Sequence, residues 1–200
     1  MPALSTTDLR VSYGDLTALD GLSLAVDGGD LYGLLGPNGA GKTTTMAVLT
    51  GRTAPDAGSA QVLGVDPAAD PVGVRERVGI LPEAGSPPSF LTPREYLQFV
   101  GTVREMSDGE ADDRAARWAD RLGFADRLDA LSTDLSRGQA QKVMFAAAFL
   151  HDPPVAFVDE PLANLDPVVQ ERVKLFLADY RAAGNTVVLS THDVSVAEAL

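Results

Sequence analysis

Residues 36–43 combine three glycines with a lysine and a threonine at a spacing suited to holding phosphate groups. The segment reads GPNGAGKT and matches the pattern G-x-x-x-x-G-K-[ST] throughout. Glycines let successive backbone N–H groups point at one anion, and the following helix N-terminus adds its positive end. Lys42 would place a cation on the β- and γ-phosphates, Thr43 would bind Mg²⁺ through its hydroxyl, and Thr44 would donate to the α- or β-phosphate. The residues expected at the nucleotide are Gly36, Pro37, Asn38, Gly39, Ala40, Gly41, Lys42, Thr43 and Thr44.

Acidic residues and a histidine follow two other apolar runs. Asp159 and Glu160 come directly after Val155–Val158, and His192 follows a later run and a Ser-Thr pair. A carboxylate at a strand end can hold Mg²⁺, and its neighbour can orient or deprotonate a water that attacks the γ-phosphate. A histidine there can hydrogen-bond the γ-phosphate. The competing interpretations are a surface acid pair and an incidental loop histidine, and for the acids the phosphate loop favours the functional interpretation.

The elements that must position these residues alternate between strands and helices. Leu31–Leu35 predicts a short buried strand before the loop, and Thr43–Thr50 predicts a helix after it, ended by Gly51. Leu9–Tyr13 and the strand-like run in Leu16–Leu24 predict a β-rich opening. Because open parallel sheets bind ligands at the carboxyl ends of their strands, the pattern predicts an α/β fold with a mostly parallel sheet core.

The middle of the chain carries further start and stop signals. Ala60–Val65 and Val78–Leu81 predict short strands, and Asp70 caps a short helix between them. Capping boxes predict helix starts at Thr92 and Ser107. Little strand character appears between these boxes and the next apolar helix. We therefore expect an α-helical subdomain, about residues 84–138, inserted into the α/β domain.

The composition excludes several classes of protein. The chain has 200 residues, 45% of them hydrophobic, and no cysteine, so it suits one domain without disulfides. It lacks both the ~18-residue apolar run of a membrane span and a signal-peptide pattern, so we expect a cytoplasmic protein. A net charge of −12 disfavours nucleic acid as a partner. The acidic excess and the presence of only three lysines predict a halophilic cytosol. The alternative explanation of this composition is a GC-rich genome.

The order of these motifs resembles that of the nucleotide-binding subunit of an ATP-binding cassette (ABC) transporter. The family's signature, usually LSGGQ, corresponds to LSRGQ at residues 135–139, shortly before the Asp159 strand. Ala163–Asp166 (ANLD) resembles the family's D-loop, and Tyr13 stands where the family has an aromatic that stacks on adenine. Without the resemblance, Tyr13 is more simply a half-buried strand residue. The resemblance implies one α/β P-loop NTPase domain over residues 1–200, with an N-terminal antiparallel β subdomain and the helical insert.

The resemblance also implies a mechanism. Two subunits, identical or different, close head to tail on two ATP molecules. Each ATP is held between the phosphate loop of one subunit and the signature segment of the other subunit. Closing and opening then drive a membrane-spanning permease, which places the chain on the inner face of the cell membrane. The implied cofactors are ATP and Mg²⁺. The implied catalytic residues are Glu160, His192 and Lys42. The residues implied to lie at the partner's nucleotide are Ser136, Gly138 and Gln139. The implied metal ligands are Asp159, Thr43 and Glu83, and Asp166 is implied to lie at the dimer contact.

Three features depart from the family pattern. Glu83 stands where glutamine is usual, although glutamate can still bind Mg²⁺ or its waters. Arg137 replaces the first signature glycine, and the segment around Glu83 looks like the export-type branch. Only residues 193–200 follow His192, so we expect the C-terminal part of the usual domain to be missing.

Two other functions use the same motifs. One is an ABC-type ATPase without a membrane partner, acting on ribosomes or DNA; the single cassette, the absence of heptads and the acidity disfavour it. The other is a nucleotide-dependent regulator that does not hydrolyse ATP. The presence of Glu160 and His192 argues against that function.

Overall fold

The computed structural model describes residues 2–192, which fall into two compact units. The first unit draws its described residues from Met1–Ile80, Pro153–Glu160 and Ala178–Leu200, and the second consists of Leu81–Asp152 and Pro161–Leu177. The strands are β1 (Leu4–Tyr13), β2 (Leu16–Val26), β3 (Leu31–Leu35), β4 (Ala57–Val62), β5 (Val78–Leu81), β6 (Val155–Asp159) and β7 (Thr186–Thr191). The α-helices are α1 (Lys42–Leu49), α2 (Pro71–Arg77), α3 (Pro93–Val103), α4 (Asp108–Leu122), α5 (Arg137–Phe149) and α6 (Pro167–Ala182).

An antiparallel sheet in the order β2-β1-β4 opens the first unit. The prediction of a strand over Ala60–Val65 is wrong at both ends, because β4 covers Ala57–Val62. Pairing with β1 extends the ladder back to Ala57, opposite Arg10. Gly58 makes this possible, since its φ is 84° and an added Cβ would clash with the Asp8 carbonyl oxygen. After β4 the backbone turns through Leu63, which has a positive φ of 51°.

A parallel sheet in the order β3-β7-β6-β5 carries the residues with candidate chemistry. Every residue of β6 and β7 is buried, as expected for central parallel strands. The register places Asp159 beside Ser190 and Leu35 beside Thr191. The carboxyl ends of β3, β6 and β7 therefore meet at one edge of the sheet.

One hydrophobic core joins the two sheets of the first unit. Leu9 and Val11 of β1, Leu49 of α1, and Phe157 and Val188 of the parallel sheet are all buried in it. Each such side chain contributes about 1.5–3 kcal/mol of burial free energy relative to an exposed position. The phosphate loop is thus anchored by a strand and a helix that both pack on this core.

The second unit is a helical structure around an aromatic cluster. Trp118, Phe145, Phe149 and Phe176 pack together, with ring centroids 4.7 Å apart for Phe145 and Phe149. The predicted capping box at Thr92 is confirmed. The box at Ser107 is only half formed, because Glu110 directs its carboxylate to Arg114 at 2.9 Å.

The fold class predicted from the sequence is confirmed: a parallel sheet core, an antiparallel β subdomain and a helical unit. The residues that follow His192 lie outside the described part of the chain. Among residues 2–192, no helix combines the length and apolarity that crossing a membrane requires.

Candidate functional site

The phosphate loop is held open by glycine geometry. Gly39 and Gly41 have φ values of 84° and 86°, which favour glycine, and an added Cβ on Gly41 would lie 2.7 Å from the Ala18 carbonyl oxygen. Among residues 2–192, no side chain caps the start of α1, and the first turn of this helix has no acid, so its first N–H groups can meet an anion. Lys42 Nζ donates to the carbonyl oxygens of Gly36 at 2.7 Å and Pro37 at 3.1 Å. The lysine ammonium therefore lies over the mouth of the loop.

Asp159 is held in place by two hydroxyl groups at the end of β6. Its side chain is buried, and the Ser190 hydroxyl donates to Oδ1 while the Thr43 hydroxyl donates to Oδ2 at 3.3 Å. A carboxylate and a hydroxyl at this distance are hard oxygen donors of the kind Mg²⁺ takes. The structure thus brings Thr43 and Asp159 together, although the two residues are far apart in the chain. This agrees with the sequence analysis, which named both as metal ligands.

Glu160 has a strained backbone and a well-held side chain. Its φ is 47°, a left-handed conformation that costs a non-glycine residue about 1–2 kcal/mol. The backbone N–H of Glu160 donates to the Ser190 carbonyl oxygen at 3.0 Å. The Thr191 hydroxyl donates to Oε2 at 3.1 Å, and the His192 backbone N–H donates to Oε1 at 2.9 Å. The strain is thus offset by contacts that direct the carboxylate.

His192 shares the same carboxylate through its ring. Nδ1 lies 2.6 Å from Glu160 Oε1, and the ring is largely exposed. Because the carboxylate can only accept, Nδ1 carries the proton in this contact. Nε2 is then the ring nitrogen left to face a phosphate, and donating from it requires the imidazolium form.

The signature segment and the D-loop both belong to the second unit. Ser136 and Gln139 form a capping box at the start of α5, with the Gln139 N–H donating to Ser136 Oγ at 3.2 Å. Gly138 lies against the D-loop, since an added Cβ would be 2.7 Å from the Asn164 carbonyl oxygen. The absence of a side chain at Gly138 therefore also serves internal packing, besides the place at the partner's nucleotide that the family resemblance implies.

Two residues that the sequence did not single out hold the D-loop. Gln170 donates from Nε2 to the carbonyl oxygens of Leu162 at 3.1 Å and Leu165 at 3.2 Å. Lys142 Nζ lies 3.7 Å from Asp166 Oδ2, and 88% of its side chain is shielded from solvent. The scarcity of lysine was the sequence signal that could have pointed to the Lys142–Asp166 contact, since Lys142 is one of only three lysines in the chain.

Asp166 caps α6 by accepting from the Val169 N–H at 3.0 Å. This backbone hydrogen bond lowers the pKa of the Asp166 carboxyl below its ordinary value, with a smaller contribution from the Lys142 charge. Elsewhere, Tyr13 ends β1 with half of its surface exposed, so its ring face is accessible. Glu83 lies exposed in the second unit just after β5, and Arg137 is the first residue of α5.

The fold and the loop define a phosphate-loop NTPase, and comparison with known proteins narrows the class. Residues 19–163 match a family model described as ABC transporter. The chain belongs to the ABC transporter family. It is 36% identical over 199 residues to Nod factor export ATP-binding protein I of Ralstonia nicotianae, and 36% identical over 198 residues to the daunorubicin/doxorubicin resistance ATP-binding protein of Streptomyces peucetius. These alignments cover 100% and 99% of this chain but only 62% and 60% of the relatives.

Solved structures agree with the fold. An ATP-binding subunit of an ABC transporter superposes with a TM-score of 0.90 at 31% identity, covering 98% of this chain and 82% of that one. A dimeric ATP-binding cassette in a post-hydrolysis state, bound to ADP and Pi, superposes with a TM-score of 0.90 at 23% identity. It covers 98% of this chain and 90% of its own, and at this identity it supports the fold alone.

Proposed function

We propose that this chain is the ATP-hydrolysing subunit of an export-type ABC transporter. The observation that carries the proposal is the pair of acids at the end of β6, each held by a donor from the end of β7 beside the phosphate loop. Asp159 is fixed by Ser190 and Glu160 by Thr191 and His192. The remaining roles follow from the family, with residues 1–200 forming one ATP-binding domain.

The phosphate loop and Lys42 bind the triphosphate of ATP. Thr43 and Asp159 fit a Mg²⁺ ion, which would neutralise charge on the β- and γ-phosphate oxygens. Glu160 orients the attacking water and takes up its proton, and its carboxylate is directed by the Thr191 hydroxyl and by the backbone and ring N–H groups of His192. His192 donates from Nε2 to the γ-phosphate, and Tyr13 stacks on the adenine.

A second cassette completes the site. Ser136, Gly138 and Gln139 start α5 and offer N–H donors and a helix N-terminus to the γ-phosphate bound by the partner. The family pattern assigns Asp166 of the D-loop to the dimer contact, and the same pattern assigns Glu83 a role as metal ligand. Hydrolysis adds repulsion and removes contacts, so the pair reopens.

The second unit also carries the surface that fits a permease. Phe90, Phe99 and Val103 are 76%, 60% and 61% exposed. Phe99 and Val103 lie one turn apart on α3, so they present one apolar stripe. We assign this stripe to a cytoplasmic segment of the membrane-spanning partner, which holds the chain at the inner face of the membrane.

Glu160→Gln tests the proposal, because it keeps the hydrogen-bonding shape of the side chain and removes its basicity. We expect ATP binding to persist, hydrolysis to fall by at least about 100-fold, and a Mg-ATP-dependent dimer to accumulate in light scattering at low or high KCl. Glu171→Gln, on the exposed face of α6, is the matched control. A Glu160→Gln protein that hydrolyses ATP at the control rate, or binds ATP yet stays monomeric in every salt, would refute the assignment.

A further inference from the structure

A pocket in the second unit is walled by three arginines from one helix. Arg114, Arg117 and Arg121 are spaced by three and four residues, so α4 presents them on one face. The pocket has a volume of about 210 Å³. Its other lining residues are Trp118, Leu150, Asp152 and Phe176. It contains no residue of the phosphate loop, the signature segment or the D-loop.

The arginines differ in how their charges are compensated. Arg114 pairs with Asp152 and with Glu110 and donates to the Leu150 carbonyl oxygen at 2.8 Å, so it is structural. Arg121 stacks on the rings, with its guanidinium carbon 4.8 Å from the Phe176 centroid and 5.6 Å from that of Trp118. Arg117 is exposed. Within residues 2–192, neither Arg117 nor Arg121 forms an ion pair.

We propose that this pocket binds a small organic anion that carries a carboxylate on an aromatic body. Trp118 and Phe176, each 8% exposed as residues, give the pocket an apolar base that the Arg121 guanidinium partly covers, and an aryl group packs against the part of that base left beside it. The guanidinium groups of Arg117 and Arg121 offer forked donors that match a carboxylate. The volume lies below the roughly 300–1,000 Å³ typical of drug-sized ligands, which suits a single ring rather than a nucleotide.

Charge and shape both contribute to this assignment. The net charge of −12 repels anions at long range, so affinity must come from contacts within the pocket. A neutral isostere of the same shape keeps the ring contacts and loses the charge-assisted hydrogen bonds. Benzoate and benzamide are therefore a suitable pair of probes.

Trp118 is the only tryptophan in the chain, so its emission reports on the pocket directly. We expect benzoate to change this emission saturably, with binding weaker at high KCl because chloride screens and competes. Benzamide should bind at least about tenfold more weakly. Isothermal titration of the same probes gives an independent dissociation constant.

Arg117→Gln is the primary variant, because Arg117 stacks on neither ring and its loss should leave the fold intact. We expect it to weaken benzoate binding about tenfold, and Arg121→Gln to weaken it similarly. Arg127→Gln, an exposed arginine of the same unit outside the pocket, should stay within about twofold of the parent. The proposal is overturned if benzoate gives no saturable signal by either method, if benzamide binds equally well, or if Arg117→Gln matches Arg127→Gln.

Discussion

The contact between Gly138 and the D-loop makes a sharp prediction for Gly138→Ala. A Cβ at this position would lie 2.7 Å from the Asn164 carbonyl oxygen, closer than van der Waals contact allows. The loop cannot retreat easily, because Gln170 holds the carbonyl groups of Leu162 and Leu165. Overpacking of this kind costs about 1–3 kcal/mol, whereas replacing a helical glycine by alanine gains roughly 0.5–1 kcal/mol. We therefore expect the free energy of unfolding to change little or to fall by up to about 2.5 kcal/mol.

Gly109→Ala provides the matched control. Gly109 and Gly138 are each the second residue of a helix whose N-cap is a serine, and neither has a positive φ. An added Cβ on Gly109 meets no atom of the described residues within 4 Å, so this variant should gain the helix propensity alone. The difference between the two variants isolates the clash, at about 1–3 kcal/mol.

Urea unfolding followed by circular dichroism measures both variants, and the clash corresponds to a difference in midpoint of roughly 1 M. If Gly138 also sets the position of the signature segment, Gly138→Ala will reduce Mg-ATP-dependent dimerisation and leave ATP binding by the monomer unchanged. Equal stabilisation by the two alanines would refute the packing argument.

Three other perturbations address neighbouring features. Lys142→Met removes the ion pair with Asp166 and should weaken dimerisation in light scattering, with Lys142→Arg restoring it; equal behaviour of the two variants would contradict a positioning role. Because the folded pKa of Asp166 is lowered, its cap stabilises the fold above about pH 4, and this contribution is lost as the pH falls through the folded pKa. Unfolding midpoints should therefore decline less steeply below about pH 4 in Asp166→Asn than in the parent. The acidic, lysine-poor composition predicts higher unfolding midpoints in concentrated KCl than in dilute KCl, and equal midpoints would remove the halophile hypothesis.

Local signals in the sequence predicted most of the fold. The caps at Asp70 and Thr92 lie where expected, because each depends on side chains within a few residues of the helix end. The prediction for β4 was wrong because Ala57–Ser59 have little strand preference of their own. Their conformation comes from the ladder with β1, which depends on residues some fifty positions earlier in the chain.

The sequence by itself determined the phosphate loop, the acid pair and the class of fold, since these are carried by contiguous residues and by the period of the apolar pattern. Only the tertiary structure decided that Ser190 holds Asp159, that Gly138 packs on Asn164, and that Lys142 reaches Asp166. It also placed Phe176 beneath the Arg121 guanidinium of α4. Each of these contacts joins residues from separate elements, so it follows from strand order and helix packing rather than from any local pattern.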